Sequence, residues 1–365
     1  MDLEKHYKNK KVLVTGHTGF KGAWLITWLK QLGAVVCGIG LNPVSNPSHF
    51  DVGKMGESIS DLRIDIRNTS AIEKAILDFK PDFVFHLAAQ ALVRKSYLSP
   101  LETWETNVMG TLNILEALRK YDQPCSVVII TSDKCYDNVE WIWGYRENDL
   151  LGGPDPYSAS KGAAEIAIKS HVKSYFPKET SLVRIASARA GNVIGGGDWA
   201  EDRIIPDCVK AWSKNQSVDL RNPNATRPWQ HVLEPLSGYL VLAVHLSINP
   251  NLHGEPFNFG PPANQNHSVL ELVRKMSEHW SLVQWRDVSN NTNGPYESGL
   301  LKLNCDKALA LLHWTAVMGF AETVQFTAEW YKSYYSDPKQ IINTTLEQIS
   351  KYQEFAKLKG LEWSA

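Results

Sequence analysis

Along the first half of the chain, short unbroken apolar runs alternate with longer segments whose apolar residues recur every three to four positions. The runs KVLVTG, VVCGIG, DFVFHLA and SVVIIT are strand candidates, and GAWLITWLKQLG, AIEKAILDFK and ETNVMGTLNILEALRKY between them carry helical periodicity. A strand that is apolar at every position has both faces buried, which parallel strands joined by helices achieve. The pattern predicts an α/β fold, a doubly wound parallel sheet with helices on both sides. After about residue 180 the rhythm loosens. SLVRIASARAGNVIGGGDW reads as one more strand and its loop, followed by short helices, Pro-rich turns and polar runs such as RNPNATRPWQH and SNNTNGPYESG. The expectation is a sheet domain over residues 1–190 and a smaller C-terminal lobe over 191–365, with some segments returning to the first domain.

Composition narrows the class of partner. With 43% hydrophobic residues in 365, the chain can bury a large core and is neither disordered nor fibrous. Its net charge of -1 gives no electrostatic reason for nucleic acid or a membrane surface, so a small molecule is the expected partner. Five scattered cysteines, Cys37, Cys125, Cys135, Cys208 and Cys305, form no CxxC pair, which suggests neither a disulfide framework nor a metal site. The charged start MDLEKHYKNKK lacks the apolar stretch of a signal peptide, and no apolar run reaches membrane-spanning length; the cytoplasm is expected.

VLVTGHTGFKGAWL places Gly16, Gly19 and Gly22 after the first strand and before a helix. Glycines at this spacing let the backbone turn tightly and approach a pyrophosphate at a helix N-terminus, which predicts a Rossmann-like dinucleotide site over Gly16, Thr18, Gly19, Phe20, Lys21 and Gly22. Lys21 is either a charge near the phosphates or a solvated lysine, while Trp24 and Trp28 are expected to pack the helix. The second strand ends in Leu41 and Asn42, where NAD-specific folds carry a carboxylate for the ribose. The Asn42 amide can still bond a hydroxyl, so NAD is expected and NADP is the alternative. Asp65 and Ile66, after the third strand, suit an adenine edge, or Asp65 caps a turn.

PYSASKGAAE sets Tyr157 and Lys161 four residues apart on one helical face. An ammonium beside a phenol is expected to lower its pKa, and a phenolate can take a proton from a substrate hydroxyl.

Together with HLAAQ (86–90), TNVMGT (106–111), TS (131–132), YSASK (157–161) and RAGNVIGGG (189–197), these motifs make the chain resemble the extended short-chain dehydrogenase/reductase family, whose members act mostly on nucleotide sugars. The resemblance implies that His86, Leu87, Ala88, Ala89 and Gln90 line the cofactor, with Asn107 among its contacts. It further implies that Thr131 or Ser132 bonds the sugar hydroxyl deprotonated by Tyr157, that Lys161 binds the nicotinamide ribose, and that Asn192 holds the nucleotide sugar.

Within that family an epimerase needs only the Tyr, the Lys and the Ser or Thr. A 4,6-dehydratase must also lose water across carbons 5 and 6, and so needs an acid and a base there. TSDKCY supplies Asp133 and Lys134, where dehydratases of the family commonly carry Asp-Glu; this Lys, with GHTGFKG and GLNP, resembles the branch acting on CDP-glucose. The expected catalytic set is Ser132, Asp133, Lys134, Tyr157 and Lys161. Asp133 protonates the leaving hydroxyl, and Lys134 is either a neutral base or a charged stabiliser of the enolate. Cys135 is expected to pack. A 4-epimerase, or a dehydratase of dTDP-, UDP- or GDP-hexose, is the alternative. Arg203, Arg221 and Arg227 lie on loops suited to a diphosphate, Arg227 foremost in RPWQHV, whereas His231 has no partner at metal-ligand spacing. The resemblance also implies a homodimer or homotetramer built on helices near 101–120 and 157–176.

Overall fold

The computed structural model describes residues 1–280, 283–289 and 299–364; most of SNNTNGPYESG lies outside the described residues. One sheet carries seven strands: β1 Lys11–Thr15, β2 Val35–Gly40, β3 Ser60–Arg63, β4 Phe83–His86, β5 Cys125–Ile130, β6 Val183–Arg189 and β7 Pro256–Asn258. All its pairings are parallel, in the spatial order β7-β6-β5-β4-β1-β2-β3. Successive side chains of a strand point to opposite faces, and here both faces find apolar partners. Val12, Val14, Val128 and Ile130 join a core with helices Phe20–Gln31, Leu233–Ile248 and Ile341–Leu358. Leu13, Val127 and Ile129 join another with helices Thr69–Phe79, Gly110–Arg119 and Pro156–Tyr175. This double cover explains the unbroken apolar runs. Each fully buried Val, Leu or Ile contributes about 1.5–3 kcal/mol.

The chain after residue 190 serves both parts of the molecule. Helix Leu233–Ile248 covers the sheet and β7 extends its edge. A lobe is formed from short strand pairs, Val193–Ile194 with Gln230–His231, Thr226–Arg227 with His267–Ser268, and Val218–Leu220 with Trp285–Asp287, together with helices Ile204–Trp212 and Val269–Ser277. Trp24 and Trp28 are fully buried, and the Trp24 indole donates to the Gly196 carbonyl at 2.8 Å, so helix Phe20–Gln31 also anchors the lobe. His231 packs edge-on to Trp24 and Phe326, and burial pushes its imidazole down to about 3. Where one helix was expected near 101–120, Pro100–Trp104 and Gly110–Arg119 flank a π turn, Glu105–Met109. Among the described residues no helix is long and apolar enough to cross a membrane, and no group of three or more His, Cys, Asp or Glu could hold a metal ion.

Candidate active site

The winding direction reverses between β1 and β4, and the crevice outside the C-terminal ends of such strands is where an open α/β sheet holds ligands. Gly16 leaves β1 at φ +73°, and a Cβ there would lie 2.7 Å from the Ala88 nitrogen, so only glycine permits this approach. Gly19 precedes helix Phe20–Gln31, and no side chain caps that end. The N–H groups of its first turn, Phe20, Lys21 and Gly22, are therefore available to an anion. The Thr18 hydroxyl donates to the Leu41 carbonyl at 2.9 Å and ties the loop to the end of β2. This bare cradle of N–H groups fits a dinucleotide pyrophosphate.

Leu87, Ala88 and Ala89 leave β4 half-buried beside the crevice. His86 does not face it. Its ring lies between the Thr15 hydroxyl, at 2.7 Å, and that of Thr111, at 3.1 Å, and burial pushes the imidazole down to about 3. The Asn107 amide accepts from the Gln90 N–H at 2.8 Å and donates to the Gln90 carbonyl and the Ser160 hydroxyl. Asn107 thus clamps the loop after β4 to the helix that carries Tyr157. The Gln90 side-chain amide is likewise engaged, by Leu92 and Thr103. Farther along the crevice Asn42 is exposed, Ile66 is buried against Gly110, and the Asp65 carboxylate is gripped by Arg67 at 2.7 Å. Arg63 is paired with Asp61 and donates to the Leu41 carbonyl.

The second group of residues gathers where β5 ends. Asp155 caps helix Pro156–Tyr175 by accepting from the Ser158 N–H at 3.0 Å, and Pro156 suits its first position. Tyr157 and Lys161 consequently sit in the first turns of a rigid helix, both buried. Ser132 caps a short turn, Asp133–Cys135, that leaves the strand. The buried Asp133 carboxylate accepts from the Ser132 hydroxyl at 3.0 Å and from the Asn192 amide at 3.1 Å. A Cβ on Gly191 would lie 1.8 Å from that carboxylate, so the loop after β6 can close on Asp133 only as glycine. The Lys134 ammonium makes no ion pair or hydrogen bond among the described residues, so Asp133 and Lys134 are not an ion pair at a strand end.

Electrostatics corrects one expectation. Burial pushes the Tyr157 phenol up to about 12; the Ser132 hydrogen bond and the Arg203 charge oppose this, while Asp133 and Asp155 reinforce it. Lys161 does not offset that rise, and burial pushes its own ammonium down to about 8, against the pull of Glu165. Lys21 lies in the same field: burial and the Arg203 and Lys161 charges bring it down to about 8, with Asp133 acting the other way. The pyrophosphate loop therefore also delivers a cation to the Asp133 cluster. Burial drives the Cys135 thiol well above its usual range, which leaves it a packing residue.

Of the three expected arginines, Arg203 reaches this cluster from the lobe while bonded to Asp198 at 2.9 Å. Arg221 instead pairs with Asp202 at 3.0 Å, and Arg227 donates to the Thr226 and Gly299 carbonyls. Two residues escaped notice in the sequence. Glu165 and Arg189 form a buried ion pair at 2.8 Å directly behind the site. A signal existed: Tyr157, Lys161 and Glu165 recur every four residues on one helical face, and Arg189 follows the uncharged run Ile185, Ala186, Ser187, Ala188 at the end of β6. Thr131 donates its hydroxyl to Glu165, which leaves Ser132 as the hydroxyl beside Tyr157.

Comparison with known proteins extends the geometry. The chain is 45% identical over 355 residues to the CDP-glucose 4,6-dehydratase of Salmonella typhimurium, covering 96% of this chain and 98% of that one. Among solved structures, the Thermus thermophilus UDP-glucose 4-epimerase complex with NAD superposes with a TM-score of 0.73 at 25% identity, covering 88% and 99% of the two chains. The Bacillus anthracis dTDP-glucose 4,6-dehydratase in complex with NAD superposes with a TM-score of 0.72 at 20% identity, covering 89% and 97%, and shares the fold. A sequence profile described as GDP-mannose 4,6 dehydratase matches residues 13–327. Because that match takes in the glycine loop, the Ser132–Lys134 turn and the helix of Tyr157 in one stretch, the chain belongs to the GDP-mannose 4,6 dehydratase family.

Proposed function

We infer that this chain is an NAD-dependent hydro-lyase that converts CDP-glucose to CDP-4-keto-6-deoxyglucose and water. The observation that carries the reading is the Ser132–Asp133–Lys134 turn set against Tyr157, in a chain 45% identical to a CDP-glucose 4,6-dehydratase over 96% of its length. An epimerase returns the hydride to carbon 4 and has no use for an acid and a base at carbons 5 and 6.

Bound NAD would supply the hydride acceptor for carbon 4 and the hydride donor for carbon 6, and its positive charge would oppose the burial that raises the Tyr157 phenol. Tyr157 takes the proton of the carbon-4 hydroxyl, with Ser132 bonded to the same oxygen. Lys161 holds the ribose, and the uncapped first turn of helix Phe20–Gln31 holds the pyrophosphate. The 4-ketone acidifies carbon 5; Lys134, uncommitted to any carboxylate among the described residues, takes that proton in its neutral form, or as a cation stabilises the enolate while a water takes the proton. Asp133 gives a proton to the departing carbon-6 hydroxyl, which leaves as water. Carbon 5 is reprotonated, and because the hydride taken from carbon 4 would return at carbon 6, no external reductant would be consumed. Arg63, which reaches the carbonyl of Leu41 next to Asn42, is paired with Asp61, and that neutralisation favours NAD over NADP. Asn192 and Arg203 contact the nucleotide sugar, and Arg221 and Arg227 serve its diphosphate end. Exposed Leu101, Met109 and Ile166 on the helices beside the site support a homodimer or homotetramer; light scattering measures it, and a monomer overturns it.

The test is incubation with CDP-, dTDP-, UDP- and GDP-glucose in deuterated water. A 4-keto sugar with deuterium at carbon 5 is expected from CDP-glucose. No keto sugar from any of them overturns the dehydratase reading, and preference for another nucleotide overturns the assignment of the base.

A further inference from the structure

We propose that the buried Glu165–Arg189 ion pair is a positioning device that brackets the Ser132–Lys134 turn, with one tether before it serving the first chemical step and one after it serving the second. The upstream tether is the Thr131 hydroxyl, which donates to Glu165 at the point where the chain leaves β5. The downstream tether is Tyr136: its hydroxyl accepts from Arg189 at 2.7 Å and donates to Asn258 at 2.8 Å. The Arg189 guanidinium also lies 4.9 Å from the Tyr136 ring centroid and donates to the Glu147 carbonyl at 3.0 Å. Ser187, on the same strand as Arg189, donates to the second Glu165 oxygen at 2.9 Å. One ion pair therefore touches the residues on both sides of the turn. Glu165 and Arg189 are each only 3% exposed at the side chain, so solvent does not soften the linkage.

The two tethers hold different groups. Thr131 immediately precedes Ser132, the hydroxyl paired with Tyr157 in removing the carbon-4 hydroxyl proton as the carbon-4 hydride leaves. Tyr136 follows Asp133, Lys134 and Cys135, and so fixes the end of the turn that presents the groups acting at carbons 5 and 6. Loosening one side misplaces one set of groups while the other stays pinned, and a misplacement near 1 Å costs on the order of 10²-fold in rate.

This inference rests on the dehydratase reading, which wild-type turnover of CDP-glucose tests by itself. Thr131→Val and Tyr136→Phe each remove one tether and keep the ion pair, so neither leaves a bare charge in the core. The readout is kcat with CDP-glucose carrying deuterium at carbon 4 or at carbon 5. Tyr136→Phe is expected to lower kcat ~10–10²-fold, to leave KM within about twofold, and to raise the carbon-5 isotope effect alone. Thr131→Val is expected to raise the carbon-4 effect alone. A merely structural role lowers both steps alike and moves neither isotope effect. Unchanged kcat in Tyr136→Phe, or the same isotope pattern in both variants, overturns the proposal; should Thr131→Val fail to fold, the Tyr136→Phe result decides by itself.

Discussion

Glu165, behind the Ser132–Lys134 turn, and Glu234, beneath the C-terminal helices, are both buried, yet their carboxyls move to opposite sides of the usual glutamate range. Burial by itself raises both. At Glu165 the Arg189 charge and hydrogen bonds from Arg189, Thr131 and Ser187 outweigh burial and hold the carboxyl below its usual value. At Glu234 the carboxyl accepts from the Met318 N–H at 2.6 Å, the Val317 N–H at 2.9 Å and the Tyr352 hydroxyl at 2.8 Å, and Lys359 contributes at longer range. These donors leave it up at about 7. Several neutral donors do not replace one full opposing charge in a low-dielectric interior.

The largest test of that contrast removes the charge. Arg189→Met leaves Glu165 as a buried, unpaired carboxylate, and the expected loss in urea unfolding is about 3–5 kcal/mol. A loss below about 1 kcal/mol would mean that the hydrogen bonds from Thr131 and Ser187 suffice, and the contrast would fail.

The next test uses pH. Glu234 is raised in the folded chain, so it contributes stability fully present below its ordinary 4.5 and lost as pH rises through about 7. That loss is about 3 kcal/mol between acid and weakly alkaline solution, and thermal melts of Glu234→Gln should show it flattened. Glu165 carries the opposite sign: its contribution is present above the ordinary glutamate range and lost as pH falls through its lowered value. The acid limb should therefore survive in Glu234→Gln. A variant that loses both limbs, or neither, breaks the assignment.

The smallest effect belongs to Tyr352→Phe, which removes one donor from Glu234 at a cost of about 1 kcal/mol. Because that hydrogen bond lowers the carboxyl, its removal should shift the alkaline loss of stability to higher pH. Turnover should be unchanged, since Tyr352 lies in the C-terminal helix, apart from the Ser132–Lys134 turn; a changed kcat would show that the two glutamate regions communicate.

Much of the sheet was legible because a strand covered on both faces has a local signature, as in CSVVII of β5. The glycine loop was legible for a similar reason, since its glycines answer to contacts set by the strand–loop–helix unit itself. Adjacent hydroxyls were harder. Thr131 and Ser132 look interchangeable in sequence, and only Glu165, 34 residues beyond Thr131, takes one of them away. Asn107 shows the same limit: nothing near it in the sequence announces that its amide is engaged by Gln90 and Ser160. The four-residue spacing of Tyr157 and Lys161 on one helix was legible, but the burial that pushes the phenol up was not, because burial belongs to the whole packing.

What the sequence by itself determined is therefore what neighbours decide: the apolar runs of the sheet, the turn at Gly16, and the single helical face shared by Tyr157 and Lys161. Tertiary structure alone decided which hydroxyl stands beside Tyr157, that Asp133 is held by Asn192 and not by Lys134, and that Glu165 is ionised where Glu234 resists ionisation. The physical reason is distance along the chain. Glu165 meets Arg189 across 24 residues and Asp133 meets Asn192 across 59, and a buried charge takes its state from whatever the fold brings to it.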